Sequence, residues 1–323
     1  MQNLFIVGSP FCGSTIIGNT LNAHPHIFHA GEVDRLRLFS RYHGADACLS
    51  LDSCALCGLN EHAHCPVWDD LPAPPTTGGE TVSVYRQLMA RGGKPVVLDS
   101  SKNADWLAYL HDNGLRGASA ILLSRNPLAF ARSHQAATDA PIWAGVEAWR
   151  NIYNHALRVL IHRQIPFIAL RHADLIEAPD DFYAKILRFA GLEGQVDRDN
   201  YFKFETHALG GNVGAFVRYR QFDGKRYEER EMRDNRTMVP HEIEYKRSRQ
   251  KKSGPWRDSA WMSEIPDAEM AAAFSIPGVS EVMSLLGYSA HDMITAKQKW
   301  QLAHNPASAL RSGLKWLRGN QAD

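Results

Sequence analysis

Leu4-Phe5-Ile6-Val7-Gly8-Ser9-Pro10-Phe11-Cys12-Gly13-Ser14-Thr15 decides how this chain is read. Four apolar residues in a row are what a strand buried on both faces looks like. The run stops at Gly8, where the chain can turn with few steric limits. From Gly13 onward the period becomes helical, with Ile16, Ile17, Thr20 and Leu21 on a shared face. A strand, a glycine-bounded loop and a helix N-terminus together present backbone N–H groups to an anion. Ser14 and Thr15 add hydroxyl donors. The spacing is that of a phosphate-binding loop, G-x-x-x-x-G-x-T, but Ser14 stands where a nucleoside triphosphate loop has its lysine. The loop therefore points to a phosphate or sulfate ester and away from a triphosphate. The same spacing also occurs in plain strand–turn–helix connections, so later segments have to decide.

Composition narrows the field. With 323 residues, 44% of them hydrophobic, the chain is one large domain or two small ones. A net charge of +1 gives no global reason to bind nucleic acid or an anionic membrane, so anion binding has to be local. No apolar run reaches the roughly 18–20 residues of a membrane span. The sequence enters a strand at once, with no charged leader before it, so no signal peptide is read and the cytoplasm is the expected location.

Periodicity and punctuation order the elements. Helix is expected over 14–23, ending at the His24-Pro25 turn, and over 32–43, 82–91, 104–113, 127–134, 143–163 and 180–190. Short strands are expected at 95–99, 118–124 and 166–170. Strands alternating with helices imply an α/β fold of P-loop type, a parallel sheet flanked by helices. Ligands in such sheets sit at the carboxyl ends of the strands. Three of those ends carry polar clusters, over 8–15, 99–102 and 125–133. Residues 44–80 read as a cysteine-rich insertion and 218–257 as a charged loop or lid. Helical patterning returns over 268–286, and 303–318 reads as a basic amphipathic docking helix. The expected organisation is a single α/β domain over 1–290 and a helical tail over 291–323.

Arg125 closes the strand at 118–124, and Ser133 follows eight residues later, about two turns into the next helix. A strand end and its following helix can converge on one anion, and arginine offers a planar fork to its oxygens. Taken alone, the pair reads first as a surface arginine and a helix serine. Together with the loop it carries a family resemblance. The stretch from Gly8 to Thr15, with the helix and Asn22-Ala23-His24-Pro25 after it, resembles the 5′-phosphosulfate loop of the sulfotransferases that use 3′-phosphoadenosine 5′-phosphosulfate (PAPS). Arg125 and Ser133 resemble that family's 3′-phosphate element. His29-Ala30-Gly31-Glu32 is similar to the carboxylate segment of its tyrosylprotein and glycan branches. Leu98-Asp99-Ser100-Ser101-Lys102 is similar to an element of bacterial members, and His207-Ala208-Leu209-Gly210-Gly211-Asn212 to a downstream H-x-x-G-G-N segment. The matches extend over about 1–215.

The resemblance implies a sulfotransferase that moves a sulfuryl group from PAPS to an acceptor hydroxyl or amine. Glu32 would be the base and Lys102 the cation beside the transferring group. Gly8, Ser9, Pro10, Phe11, Cys12, Gly13, Ser14 and Thr15 would hold the 5′-phosphosulfate, and Arg125 and Ser133 the 3′-phosphate. Lys251, Lys252 and Gly254 resemble a weak form of the late R-K-G-x-x-G segment that completes this site; the same run reads also as a solvated loop. The chemistry suits the residues, because in-line transfer asks the protein mainly to position groups and stabilise charge. No metal is needed in this scheme. One departure stands out. Phe11 and Cys12 occupy the place where the family carries lysine or arginine, and a lost charge-assisted contact costs about 1.5–3 kcal/mol. Lys102 and the run at Lys251-Lys252 are the cations that would compensate; without compensation the chain is a weak enzyme or uses another donor.

Several residues have rival readings. Glu32 by itself is a carboxylate favoured at a helix N-terminus. His24, His26 and His29 offer a rival base, and Lys102 by itself is a solvated lysine at a helix start. Asp99 caps the turn or orients Lys102. Cys48, Cys54, Cys57 and Cys65 form a set that suits structural zinc, disulfides in an oxidising compartment, or plain loop packing. Cys57-Gly58 and Cys65-Pro66-Val67-Trp68 resemble a run found in bacterial sulfotransferases. Trp143, Trp149, Tyr42 and Tyr85 are candidates to stack on an acceptor, though aromatics at such positions are more often core. Two other functions remain open, a P-loop kinase of a small molecule and a non-catalytic nucleotide-binding protein. The acceptor is not legible.

Overall fold

A computed structural model describes residues 2–36, 65–68, 77–216, 218–219 and 259–304. Five strands form a parallel sheet: β1 (Gln2–Gly8), β2 (Ile27–Gly31), β3 (Val96–Lys102), β4 (Ala118–Ser124) and β5 (Phe167–Arg171). Their order is β2-β3-β1-β4-β5, with every pairing parallel. The described helices are α1 (Ser14–Leu21), α2 (Gly78–Gly92), α3 (Ala104–Asp112), α4 (Pro127–Thr138), α5 (Ile142–His162), α6 (His172–Glu177), α7 (Pro179–Phe189), α8 (Ala260–Glu264), α9 (Asp267–Phe274), α10 (Val279–Leu285) and α11 (Ala290–His304). None of them is long and apolar enough to cross a membrane. The expected α/β architecture is therefore present.

The chain divides into two units, one from the described residues of 1–125 and 152–256, the other from those of 126–151 and 257–323. In the first, β1 is buried from Asn3 to Gly8. Alternate side chains of the sheet go to opposite faces. Leu4 and Ile6, with Val96, Leu98, Ile121 and Leu123, join Ile16, Ile17 and Leu21 of α1 and Phe182, Ile186 and Leu187 of α7 in one core. Phe5 faces the other way, its ring 5.7 Å from that of Tyr85 on α2. Burial on both faces is what made the run of apolar residues continuous in sequence.

The strand order puts β1 at the centre. The chain builds β2 and β3 on one side of it and β4 and β5 on the other. The order reverses beside β1, where open α/β sheets place their ligands. At that end β1 runs into Gly8, whose closeness to β4 is tight: a methyl there would lie 2.3 Å from the Leu123 carbonyl oxygen.

The second unit is helical among the described residues. Asn126 caps α4 through hydrogen bonds from Leu128 N and Ala129 N. The Trp149 and Tyr288 rings meet edge to face at 6.1 Å. Lys297 is buried, donates to the Ile265 carbonyl and pairs with Asp267 at 2.5 Å.

Three differences from expectation have local causes. β2 was not foreseen, because His29 interrupts its apolar pattern; in the fold that ring is buried and hydrogen-bonded on both nitrogens. β3 continues past Asp99 to Lys102, since Lys102 still pairs with Val7. The stretch 268–286 is two helices, broken at Pro277, which cannot continue a helix, and Gly278, at φ +82°. Beyond Leu36, the helix expected over 32–43 lies outside the described residues, as do 305–323 of the tail.

Gly8→Ala is expected to destabilise the protein by about 1–3 kcal/mol, since the methyl forces β1 away from β4. A urea unfolding midpoint equal to that of the wild type would contradict the close approach.

Candidate active site

The loop after β1 is tied to its neighbours at each turn. Ser9 N–H donates to the Tyr153 hydroxyl at 3.2 Å, and Ser9 Oγ lies 3.0 Å from it. Tyr153 in turn donates to the Leu123 carbonyl on β4 at 2.9 Å. Phe11 at φ 64° and Gly13 at φ 93° are both left-handed, and they turn the chain into α1. Gly13 precedes α1 without any side-chain cap, so the first-turn amides face the loop with no internal helix partner. Ser14 and Thr15 lie at that turn, both buried.

Two cations flank this cradle. Arg125, just past β4, donates from Nη1 to the Phe11 carbonyl at 3.0 Å. Lys102, at the end of β3, and Arg125 both act on the buried Cys12 thiol; burial pushes it up, and the two positive charges pull against that. The place where Phe11 lacks a charge is thus served by cations from the two strands beside β1. Lys102 itself has φ 67°, a left-handed conformation that costs a non-glycine residue about 1–2 kcal/mol.

Glu32 follows β2 and meets Lys102 across the strand ends. Lys102 Nζ lies 2.6 Å from Glu32 Oε1, and Arg35 Nε lies 2.7 Å from Oε2. The Glu32 and Lys102 side chains are 15% and 17% exposed, against 47% for Arg35, so the lysine pair is the less screened one. Burial pushes the Glu32 carboxyl up, but Lys102 and Arg35 outweigh it and hold it at about 2. Burial works against the Lys102 ammonium too, and the Glu32 charge outweighs it, leaving the ammonium above its ordinary value. Asp34 stands beside this pair, its carboxyl raised by burial while accepting from Asn103 Nδ2 at 3.1 Å.

Beneath the pair are two buried networks. Asp99 accepts from Ser101 N at 2.7 Å, from the Ser101 hydroxyl, from the Tyr85 hydroxyl at 2.5 Å and from Trp106 Nε1 at 3.1 Å. Burial still pushes its carboxyl up to about 6. These donors hold the end of β3 from which Lys102 projects. His29 reaches Asn19 Oδ1 at 3.1 Å and Ser100 Oγ at 2.9 Å, joining α1 to β3. Burial pulls it down to about 3, so the ring is neutral. A methyl on Gly18 would fall 2.3 Å from His29 Nε2, so α1 needs glycine there.

The structure brings together the loop from Gly8 to Thr15, Glu32, Lys102 and Arg125. Ser133 lies on α4 in the second unit and is buried. Lys251, Lys252 and Gly254 lie outside the described residues. Cys48, Cys54 and Cys57 lie outside them too; Cys65 is buried, its sulfur 3.6 Å from His207 Nδ1. Among the described residues no three potential ligands gather around a metal position. His29 does not suit the part of base, with both ring nitrogens engaged. His24 is also buried, with Nε2 2.9 Å from the Glu193 carbonyl oxygen. Tyr85 and Trp149 are core residues, Trp143 is 54% exposed, and Tyr42 lies outside the described residues. Two participants were not foreseen. Arg35 had a signal, an i,i+3 spacing from Glu32. His172 sits against the loop, its Cδ2 2.9 Å from where a Gly13 methyl would be; only the tertiary fold brings it there.

Comparison with known proteins adds the following. A profile of the sulfotransferase family matches residues 3–197, more than half of the 323-residue chain. Among solved structures, the chain is similar to the sulfotransferase domain of the Synechococcus PCC 7002 olefin synthase, with 17% identity over 77% of this chain and 94% of that one and a TM-score of 0.46. It is similar also to the sulfotransferase domain from the curacin biosynthetic pathway, with 14% identity over 90% and 99% and a TM-score of 0.45. A sulfotransferase from Alicyclobacillus acidocaldarius gives 16% identity over 70% and 97% and a TM-score of 0.38. The search of curated proteins returned no match.

The ion pair sets a pH window for stability. Glu32 is held below its ordinary 4.5, so its contribution is full above that pH and is lost as pH falls toward about 2. Lys102 is held above its ordinary 10.5, so its contribution is full below that pH and is lost as pH rises past its raised value. The stability difference between wild type and a Glu32→Gln, Lys102→Gln double variant is expected to be level between these limits and to change on both sides. Urea unfolding across pH checks this; a difference that stays constant as pH falls from 4.5 toward 2 would remove the ion pair.

Proposed function

The chain belongs to the sulfotransferase family, and from that premise we propose that it moves a sulfuryl group from PAPS to an acceptor hydroxyl or amine by in-line transfer. The observation that carries this reading is the Glu32–Lys102 pair at 2.6 Å, set beside an uncapped helix N-terminus with Arg125 on the loop. The donor supplies the sulfuryl group. The first-turn amides of α1, with Ser14 and Thr15, bind its 5′-phosphosulfate end, while Arg125 meets the 3′-phosphate that the resemblance gives it and, from its place against the loop, adds positive charge at the 5′ end too. For Ser133 and for Lys251, Lys252 and Gly254, the assignment to the 3′-phosphate rests on sequence alone.

In the proposed step, Glu32 takes the proton of the acceptor as its oxygen or nitrogen bonds to sulfur. The bond from sulfur to the bridging oxygen breaks, and Lys102 neutralises the charge left on 3′-phosphoadenosine 5′-phosphate. While both oxygens of Glu32 are ion-paired, its carboxyl is too acidic to hold a proton well. Turning Lys102 toward the donor removes its less screened counter-charge and raises its proton affinity. One lysine thus links donor binding to the readiness of the base.

The kinase alternative needs a carboxylate for Mg²⁺ next to the loop. Asp99 ends in the right place on β3, but it is fully buried and its oxygens are taken by Ser101, Tyr85 and Trp106. That favours the sulfuryl reading. The acceptor class, a hydroxyl or an amine, and a place in the bacterial branch follow from the sequence resemblance.

Calorimetry is expected to give tighter binding of 3′-phosphoadenosine 5′-phosphate than of ATP with Mg²⁺; the reverse order would sink the proposal. With labelled donor and a panel of acceptors, Glu32→Gln is expected to lower kcat about 10²–10⁴-fold. Lys102→Ala should also abolish most turnover, with bisphosphate binding largely kept in both. Unchanged turnover in both variants would remove the mechanism.

A further inference from the structure

Residues 205–212 run along the carboxyl edge of the first unit and touch both halves of the site. Leu209 extends the sheet beyond β2: its N–H donates to the Ala30 carbonyl at 2.8 Å, and its carbonyl accepts from Glu32 N at 2.7 Å. Gly31, at φ +84°, allows this, since a methyl there would lie 2.3 Å from Leu209 N. Three residues on, Asn212 N–H donates to Thr15 Oγ1 at 3.0 Å. Gly211, at φ +109°, passes directly over Thr15, where a methyl would lie 2.8 Å from Cγ2. The upstream end is anchored separately. Asn22 Nδ2 donates to the Glu205 carbonyl at 2.7 Å, Trp68 Nε1 donates to the His207 carbonyl at 2.5 Å, and His207 Nε2 lies 2.8 Å from Glu205 Oε1.

The bond to Thr15 has a direction, and the direction matters. A hydroxyl has one proton and two lone pairs. Asn212 N–H takes a lone pair, and among the described residues Thr15 Oγ1 makes no other hydrogen bond. Its proton is left to donate. Thr15 is the second residue of α1, where the helix dipole already favours an anion. The same segment, three residues back, holds the backbone of Glu32.

We propose that 207–212 is a positioning strap: Asn212 makes Thr15 a donor to the 5′-phosphosulfate, while Leu209 sets Glu32 at a fixed spacing from it. Gly211 is the positioning residue on which the arrangement turns, because only glycine lets the strap pass so close to Thr15. The inference rests on the reading of the loop as the donor site.

The test is a double-mutant cycle on the full chain, read by calorimetric binding of 3′-phosphoadenosine 5′-phosphate. Thr15→Val is expected to weaken binding about tenfold to a hundredfold, and Gly211→Ala about tenfold, with the double variant no weaker than Thr15→Val alone. In turnover, Gly211→Ala should raise the KM for donor and leave kcat within about threefold. Losses that multiply in the double variant, or wild-type binding by Gly211→Ala, overturn the strap. No binding by the wild type defeats the donor reading and the strap with it, which separates the two failures. Should Gly211→Ala fail to fold, amide hydrogen exchange at Asn212 decides instead. Exchange faster in Thr15→Val than in wild type and Thr15→Ser is expected, and equal protection in all three overturns the proposal.

Discussion

Two opposite charges that water screens poorly can share the carboxyl edge of a sheet only as a pair. Lys102 and Glu32 do so at 2.6 Å, and much of the first unit serves that contact. Taking either ion out of water alone costs several kcal/mol, so each requires the other. The pair joins the end of β2 to the end of β3. Asp99, held by Ser101, Tyr85 and Trp106, fixes the end of β3 from which Lys102 reaches across. His29, neutral and satisfied on both nitrogens, fixes Ser100 in the same strand end and ties it to α1. These buried polar groups are costly unless fully bonded, and their full bonding makes the strand ends rigid.

The loop after β1 solves its own electrostatic problem with help from outside. Backbone amides alone give the loop only a modest positive potential, and Phe11 contributes no charge to it. Arg125 from β4 and Lys102 from β3 supply charge on the two sides of Cys12. Positive charge borne by neighbouring strands is held more firmly than a flexible loop cation, because the strands are locked by the parallel ladder. It also couples the loop to Glu32, since Lys102 acts on Cys12 and pairs with that carboxylate. Membership of the sulfotransferase family fits such an arrangement, in which position and charge do most of the chemical work.

Much of this was legible in residue order. The LFIV run, the glycine-bounded loop and the turn into helix are local signals, and the expected bounds of β4, 118–124, match those observed. Legibility failed where a local signal was overridden by burial. His29 disguised β2, because a histidine in an apolar run looks like a break until Asn19 and Ser100 are found around it. Tyr85 and Trp149 belong to the core, the commoner place for such aromatics, with Tyr85 bonded to Asp99. The polar tail of β3 read as a turn, though its backbone still pairs with β1.

The sequence by itself determined the α/β class, the glycine-bounded loop after β1 and the residue types at the strand ends, because these depend on periodicity and on glycine spacing within a few residues. Only the tertiary structure decided which of those residues meet. Glu32 and Lys102 are 70 positions apart, and Thr15 and Asn212 are 197 apart. Their contacts follow from the strand order β2-β3-β1-β4-β5 and from the close backbone approaches at Gly31 and Gly211. Strand order is set by long-range packing, which no local pattern encodes. The partners of the charges, and with them their protonation, are therefore properties of the fold.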